Sequence, residues 1–230
     1  RARKTGPERD RVARVARAAR AGVVRAREVL AAARVDDAGV HLESEPLSRE
    51  RLRRRIAAAL AAAGLAPAAT RVEAPADPLR PGHPVVVTVA PRGHGGYRAR
   101  LSRTLAVEGS GGPARRAHVA VEAARRAAVD AVAPGASVDR VREELVAELG
   151  AFGLDPVADA RLVHGVGLAP HEAPRPGEGT TLAPGHVVAV APATPVPGGA
   201  GTVRLADLLV VTEEGTRVPT DVTTGMAVRS

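Results

Sequence analysis

The sequence predicts a duplicated α/β protein in which each half runs helix, helix, strand, strand. Three observations carry this reading. A Pro-Gly-His turn leading into a β-branched run occurs twice, as Leu79-Arg80-Pro81-Gly82-His83 and as Leu182-Ala183-Pro184-Gly185-His186. Two segments of helical hydrophobic spacing precede each copy. A second strand-like run follows each copy and closes on Glu-Gly, at Glu108-Gly109 and at Glu214-Gly215. The chain reads as one domain with halves at about 1–112 and 113–230. The two halves are expected to pack their sheets together around a pseudo-two-fold axis, with helices outside and a cleft where they meet.

Each element has a local cause. Thr5-Gly6-Pro7-Glu8 is a capping box, with Thr5 as N-cap and Glu8 reaching back. Val12, Val15, Ala19, Val23, Ala26 and Leu30 then recur at helical spacing, beside a solvated stripe of Arg11, Arg14, Arg17 and Arg20. Ser48 opens a second helix, Arg49 to Ala63, which Gly64 closes. The first strand is Val85 to Val89; a Gly-rich hairpin, Gly93 to Gly96, leads to a second, Tyr97 to Val107. In the second half a helix spans Arg115 to Val132, with Pro113 ahead of it and Pro134-Gly135 behind. Ser137 caps another, Val138 to Leu149, ended by Gly150. The run Val187 to Val190 and the run Val203 to Val211 are the matching strands.

Composition removes several classes of function. With 230 residues the chain can bury a sizeable core, and with no cysteine it has no disulfide scaffold, Cys-ligated metal or thiol nucleophile. No apolar run reaches membrane-spanning length, since Ile56 to Ala69 is interrupted by Gly64 and Pro67. A soluble, cytoplasmic domain with no membrane partner is expected. Aromatic residues make up 1% of the chain, so the core must be Val, Leu and Ala. The net charge of +8 comes from 33 basic against 25 acidic residues, the basic ones nearly all Arg. With Ala, Gly, Pro and Val also abundant, this is the composition of a GC-rich coding sequence. A nucleic-acid or acidic-protein partner is the competing reading. It ranks lower because no aromatics interleave to stack bases, and the densest patch, Arg49, Arg51, Arg53, Arg54 and Arg55, would spread around a helix.

The most distinctive stretch is Leu162-Val163-His164-Gly165-Val166-Gly167-Leu168-Ala169-Pro170-His171-Glu172-Ala173-Pro174. It resembles the His-Gly-x-Gly … His-Glu-x-Pro segment of the Xaa-Pro aminopeptidase and methionine aminopeptidase family, the Xaa-Pro branch more than the other. Gly96-Tyr97 … Leu101-Ser102-Arg103-Thr104 and Val203-Arg204-Leu205-Ala206-Asp207 resemble further strands of that family, in family order. The resemblance implies the duplicated pita-bread fold and a C-terminal catalytic domain, with an N-terminal domain ahead of Arg1. A homodimer is also implied.

That family's chemistry, by resemblance, needs two metal ions held by two Asp, one His and two Glu, because carboxylates bridge hard divalent cations and let a shared water ionise. His164 matches the metal-binding His. The second Asp position is Arg100, and counting back at the family's spacing puts the first at Val89. The two Glu positions fall on Ala191 and Ala206. The segments Val85 to Val107 and Val187 to Leu205 contain no acid that a shift of register could bring in. A further catalytic His, expected before the first strand, has no match between Thr70 and Pro81.

The resemblance therefore implies a metal-free, catalytically degenerate member with no cofactor, binding a peptide or protein in the former active-site cleft. His164, His171 and Glu172 are its vestigial catalytic residues, and His171, Arg204 and Arg100 its substrate-binding ones. Arg100 is expected to occupy the vacated metal site and pair with Glu172 or another nearby carboxylate. The alternative is a hydrolase of altered chemistry using His164 and His171, with His94 completing a three-His metal site.

Overall fold

The computed structural model describes residues 2–109, 111–158, 160–199 and 201–228. In chain order the elements are α1 (Gly6–Ala32), β1 (Arg34–Asp36), β2 (Gly39–Leu42), β3 (Glu45–Pro46), α2 (Arg49–Ala62), β4 (Arg71–Glu73), β5 (Val85–Val89) and β6 (Leu101–Leu105). The second half continues with α3 (Gly112–Ala131), α4 (Val138–Ala151), β7 (Val163–Gly165), β8 (Val187–Val190), β9 (Ala193–Pro195), β10 (Thr202–Arg204), β11 (Asp207–Thr212) and β12 (Gly215–Arg217).

The helix boundaries follow from their caps. The Thr5 N–H and hydroxyl both donate to Glu8 Oε2, at 2.7 and 2.8 Å, closing the start of α1. Ser48 Oγ accepts from Arg51 N at 3.1 Å, and Ser137 Oγ from Asp139 N at 3.2 Å, so both short helices are capped as the sequence predicts. α3 starts at Gly112, before the expected Arg115, because Pro113 in its first turn has no N–H to leave unsatisfied.

Besides a small β1-β2-β3 sheet and the β9-β10 pair, the described strands form two larger sheets of matching order. β4-β5-β6 belongs to the first half and β12-β11-β8-β7 to the second. Both are antiparallel, with Val89 opposite Leu101 in one and Asp207 opposite Val190 in the other. They meet at one antiparallel bridge: Ser102 N donates to Ala206 O at 3.1 Å, and Ala206 N to Ser102 O at 3.0 Å. β6 and β11 thus face each other across the pseudo-two-fold axis. The expected single strand Val203 to Val211 is two strands. β10 pairs with β9, whereas β11 pairs with β8, and the chain changes partner at Leu205–Ala206. The expected strand from Tyr97 begins only at Leu101, since His94–Gly96 form a short 3-10 turn.

Two aliphatic cores result. α1 and α2 pack on Val85, Val87, Val89, Leu101 and Leu105, and α3 and α4 pack on Val188, Val190, Leu209 and Val211. Residues alternate along β8, with Val187 and Ala189 in the first core and Val188 and Val190 in the second, so this strand is buried on both faces. Val, Leu and Ala supply nearly all of this packing. α1 packs tightly at Gly22, where a Cβ would lie 3.0–3.1 Å from Leu60 and Val89 atoms. The helix can sit this deep only because Gly22 has no side chain.

Beside the Ser102–Ala206 bridge lies a buried charge cluster. Arg103 is 1% exposed and Asp207 0%. All five guanidinium N–H groups of Arg103 are used: Nε on Thr223 O, Nη1 on Ser102 O and Ala206 O, Nη2 on Asp207 Oδ1 and Val222 O, at 2.8–3.1 Å. Arg125 of α3 donates to the other Asp207 oxygen. Removing one partner of such a pair strands a buried charge, at a cost of about 3–5 kcal/mol. Urea unfolding of Asp207→Ala is expected to show a loss of that size. Arg53→Ala, which breaks only the exposed Arg53–Glu50 pair, is expected to leave the midpoint unchanged. A midpoint for Asp207→Ala equal to that of Arg53→Ala would contradict the assignment.

Candidate active-site cleft

The His-Gly-x-Gly … His-Glu-x-Pro motif is a strand followed by a tight return. Gly165 N donates to Pro174 O at 2.8 Å, and Glu172 N donates to Gly165 O at 2.9 Å. The returning backbone lies so close that a Cβ on Gly165 would overlap the Ala173 carbonyl. Glycine is required there, and the return sets His171 beside His164. The two imidazole rings lie 4.4 Å apart, tilted by 59°. Glu172 is held on the far side of the return, where it forms an ion pair with the buried Lys4 and accepts from Ala169 N at 3.3 Å.

Arg100 enters at the start of β6. Its Nη1 lies 3.4 Å from His171 Nε2, and its Nε is buried with no hydrogen-bond partner among the described residues. The expected pairing with Glu172 is not formed, because Lys4 has taken that carboxylate. Arg100 does point inward, toward the histidines. Burial lowers its pKa to about 10, and the neighbouring Arg204 and Arg71 push the same way, with Glu73 opposing them. Arg204 is engaged elsewhere in the cleft, donating to Glu73 at 3.1 Å.

The five positions carried over for metal binding fall as follows. His164 is 2% exposed on β7, where its Nδ1 donates to Gly165 O at 3.0 Å and its Nε2 has no partner among the described residues. A carbonyl only accepts, so Nδ1 carries the proton and Nε2 presents a lone pair. Ala191 and Ala206 are buried and offer methyl groups only. Val89 does not face the cleft: its side chain belongs to the first core, against α1. The opposite face of β5 carries Thr88, whose hydroxyl lies 2.8 Å from Ser102 Oγ. The repeat itself contains the signal for this, because Thr88 stands six residues after Gly82 as Ala191 stands six after Gly185. Thr88 is no carboxylate either.

Hard divalent cations need several charged oxygens, and a buried guanidinium repels them. The residues present at Thr88, Arg100, Ala191 and Ala206 do not fit a metal pair. His94 does not complete a three-His site, since it lines a separate cavity with Arg11, Arg14 and Leu65. Among the described residues no three His, Asp or Glu side chains come together to hold a metal ion.

The open part of the site is a cavity of about 290 Å³ beside the two histidines. Arg142, Arg161 and Arg175 line it with His164 and His171, and no acidic residue does. None of these arginines was singled out from the sequence, because their convergence depends on α4 and the His171 return meeting in space. The arginines of α2 behave differently. Arg49, Arg51, Arg53, Arg54 and Arg55 each pair with a carboxylate, drawn from Asp77, Glu43, Glu45 and Glu50.

A duplicated sheet with this strand-and-return at its cleft is the architecture of a pita-bread peptidase. Residues 10–213 match metallopeptidase family M24, and the chain belongs to that family. The "Probable dipeptidase PepE" of Mycobacterium tuberculosis is 31% identical over 139 residues, covering 60% of this chain and 37% of that protein. The Xaa-Pro dipeptidase of Pyrococcus furiosus is 31% identical over 126 residues, 53% of this chain and 35% of the relative. Among solved structures, dipeptidase PepE from Mycobacterium ulcerans superposes with a TM-score of 0.87 at 27% identity, over 99% of this chain and 62% of that one. Prolidase from Pyrococcus horikoshii superposes at 0.85 and 20% identity, over 98% and 65%, which shows the shared fold. The chain thus spans little more than a third of the length of these sequence relatives. No helix among the described residues is long and apolar enough to cross a membrane.

Burial sets the protonation of the histidines. It lowers the pKa of His164 from its usual 6.5 to about 3, with Arg100, His171 and Arg161 adding to the effect and the Gly165 hydrogen bond opposing it. His171 falls to about 4 for the same first reason, then through Arg100 and Arg161. The unfolded chain therefore takes up protons near pH 6.5 that the folded chain refuses until about pH 3–4, and stability falls as pH drops through that window. Thermal unfolding is expected to show His164→Gln losing less stability than the wild type between pH 7 and pH 4. An equal or steeper acid loss in the variant would contradict this burial of a neutral His164.

Proposed function

We propose that this chain is a metal-free member of family M24 whose cleft binds a peptide without cleaving it. One observation carries the reading: a buried, inward-pointing Arg100 stands where a carboxylate would have to be. The support around it is consistent. Thr88, Ala191 and Ala206 supply no ligand oxygen of sufficient charge, and the sole remaining donor, His164 Nε2, cannot hold two ions alone. A covalent route has no support either, because the Ser102 hydroxyl is engaged with Thr88 and not with an imidazole base.

Peptide is the preferred ligand because the framework is that of dipeptidases, with the His171 return and the Arg204–Glu73 pair still lining the cleft. A nucleic-acid partner is less well supported, since the densest arginine patch is neutralised in place.

The test is a panel of short peptides, Xaa-Pro dipeptides included, scored for binding by saturation-transfer NMR and for turnover by chromatography with and without Mn²⁺. Binding with no turnover in either condition is the expected result. Metal-dependent turnover would overturn the metal-free reading, turnover that survives chelation would favour a hydrolase built on His164 and His171, and no binding would overturn the peptide assignment.

A further inference from the structure

Lys4 stands two residues before α1, and its side chain is only 3% exposed. An ammonium is almost never buried to this degree unless it is paired. Its Nζ donates to Glu172 Oε1 and, at 3.1 Å, to Ala2 O. The segment that carries it is tied down on both sides of the side chain. Lys4 N donates to Gly185 O at 2.7 Å and Arg3 Nε to Pro184 O at 3.1 Å, so the chain ahead of α1 lies along the turn that opens β8. Two glycines make room for it. A Cβ on Gly185 would lie 2.8 Å from Lys4 O; a Cβ on Gly167 would lie 2.8 Å from Lys4 Cε and overlap Glu172 Oε1. In the His-Gly-x-Gly motif the first glycine, Gly165, therefore admits the return and the second, Gly167, admits the lysine.

The other end of the pair belongs to the return itself. Glu172 Oε2 accepts from Ala169 N at 3.3 Å, and the Glu172 backbone is bridged to Gly165. Successive side chains of such an extended segment point to opposite faces, so a Glu172 held away from the cleft keeps His171 toward His164. We propose that Lys4 is a positioning residue for the cleft: through Glu172 it fixes the return that carries His171, and the segment ahead of α1 thereby sets the affinity of the cleft for its ligand. The ligand rests on the peptide reading above, whereas the positioning of His171 does not depend on it. Without the ammonium, Glu172 has no counter-charge, and the return loses the contact that anchors it from outside its own backbone.

The test compares the full chain with Lys4→Met, Glu172→Gln and the double variant, using amide exchange, imidazole NMR and calorimetric titration with the dipeptide Ala-Pro. In Lys4→Met the exchange of the Glu172 and Gly165 N–H groups is expected to rise about tenfold more than that of Leu60 N–H in α2, and Ala-Pro to bind about tenfold more weakly. The His171 imidazole signals are expected to shift with them. Glu172→Gln keeps the side-chain shape at a position 20% exposed, carries the test if Lys4→Met does not fold, and is expected to give the same changes. The double variant is expected to lose no more than either single one, as coupled partners do. Additive losses, or a drop in stability with imidazole signals and Ala-Pro affinity unchanged, would overturn the positioning role. Failure of the wild type to bind Ala-Pro, with the His171 signals and the exchange at Glu172 still moving in the variants, would overturn the peptide reading and leave the positioning of His171 standing.

Discussion

One carboxylate sealed between two guanidiniums joins the halves of this protein. Asp207 begins β11 immediately after the bridge at Ala206, and Arg103 follows Ser102 on β6, so the charge pair sits beside the only two backbone hydrogen bonds of that bridge. Arg103 also ties down the C-terminal segment through the Val222 and Thr223 carbonyls, and Arg125 links α3 to the same carboxylate. A buried ion pair of this kind does not by itself add much stability over an apolar substitute. This one ties β6 and the start of β11 to α3 and to the C-terminal segment, alongside the Ser102–Ala206 bridge and the Thr104–Arg204 bonds. Arg100, two residues before Ser102, inherits its place in the cleft from those contacts.

The cleft combines the strand-and-return framework with a cationic set of side chains. Gly165 and the return to Pro174 hold the two histidines together, Arg204 and Thr104 remain bonded across the halves, and the sheet order is symmetrical. What differs from a dication site is confined to a few side chains. A methyl stands at Ala191 and at Ala206, a hydroxyl at Thr88, and a guanidinium at Arg100. The net effect is a site that is cationic where a metal-binding one would be anionic, with both histidines held neutral by burial and by that positive charge.

Much of the fold was legible in the residues because the repeat and the caps are local signals. The strand Val85–Val89, the helices capped at Thr5, Ser48 and Ser137, and an aliphatic core follow directly from them. β1 to β4, β7, β9 and β12 were not legible, since segments of two to four residues show no periodicity and exist only through their partners. The site was legible in its residue types and less so in its contacts. Val89 was displaced by one residue because counting from Arg100 ignores which face of β5 each side chain takes, and a shift of one reverses the face. Glu172, one of the carboxylates expected near Arg100, is instead paired with Lys4, which is distant in sequence and is held there by the backbone bond between Lys4 and Gly185. Contacts of that sequence separation carry no signal in a single chain.

Calorimetric titration of the purified chain with Mn²⁺ and Co²⁺ tests the central claim most directly. The reversed charge at Arg100, with no carboxylate at Thr88, Ala191 or Ala206, predicts no stoichiometric binding of either ion. Two ions bound per chain would contradict it.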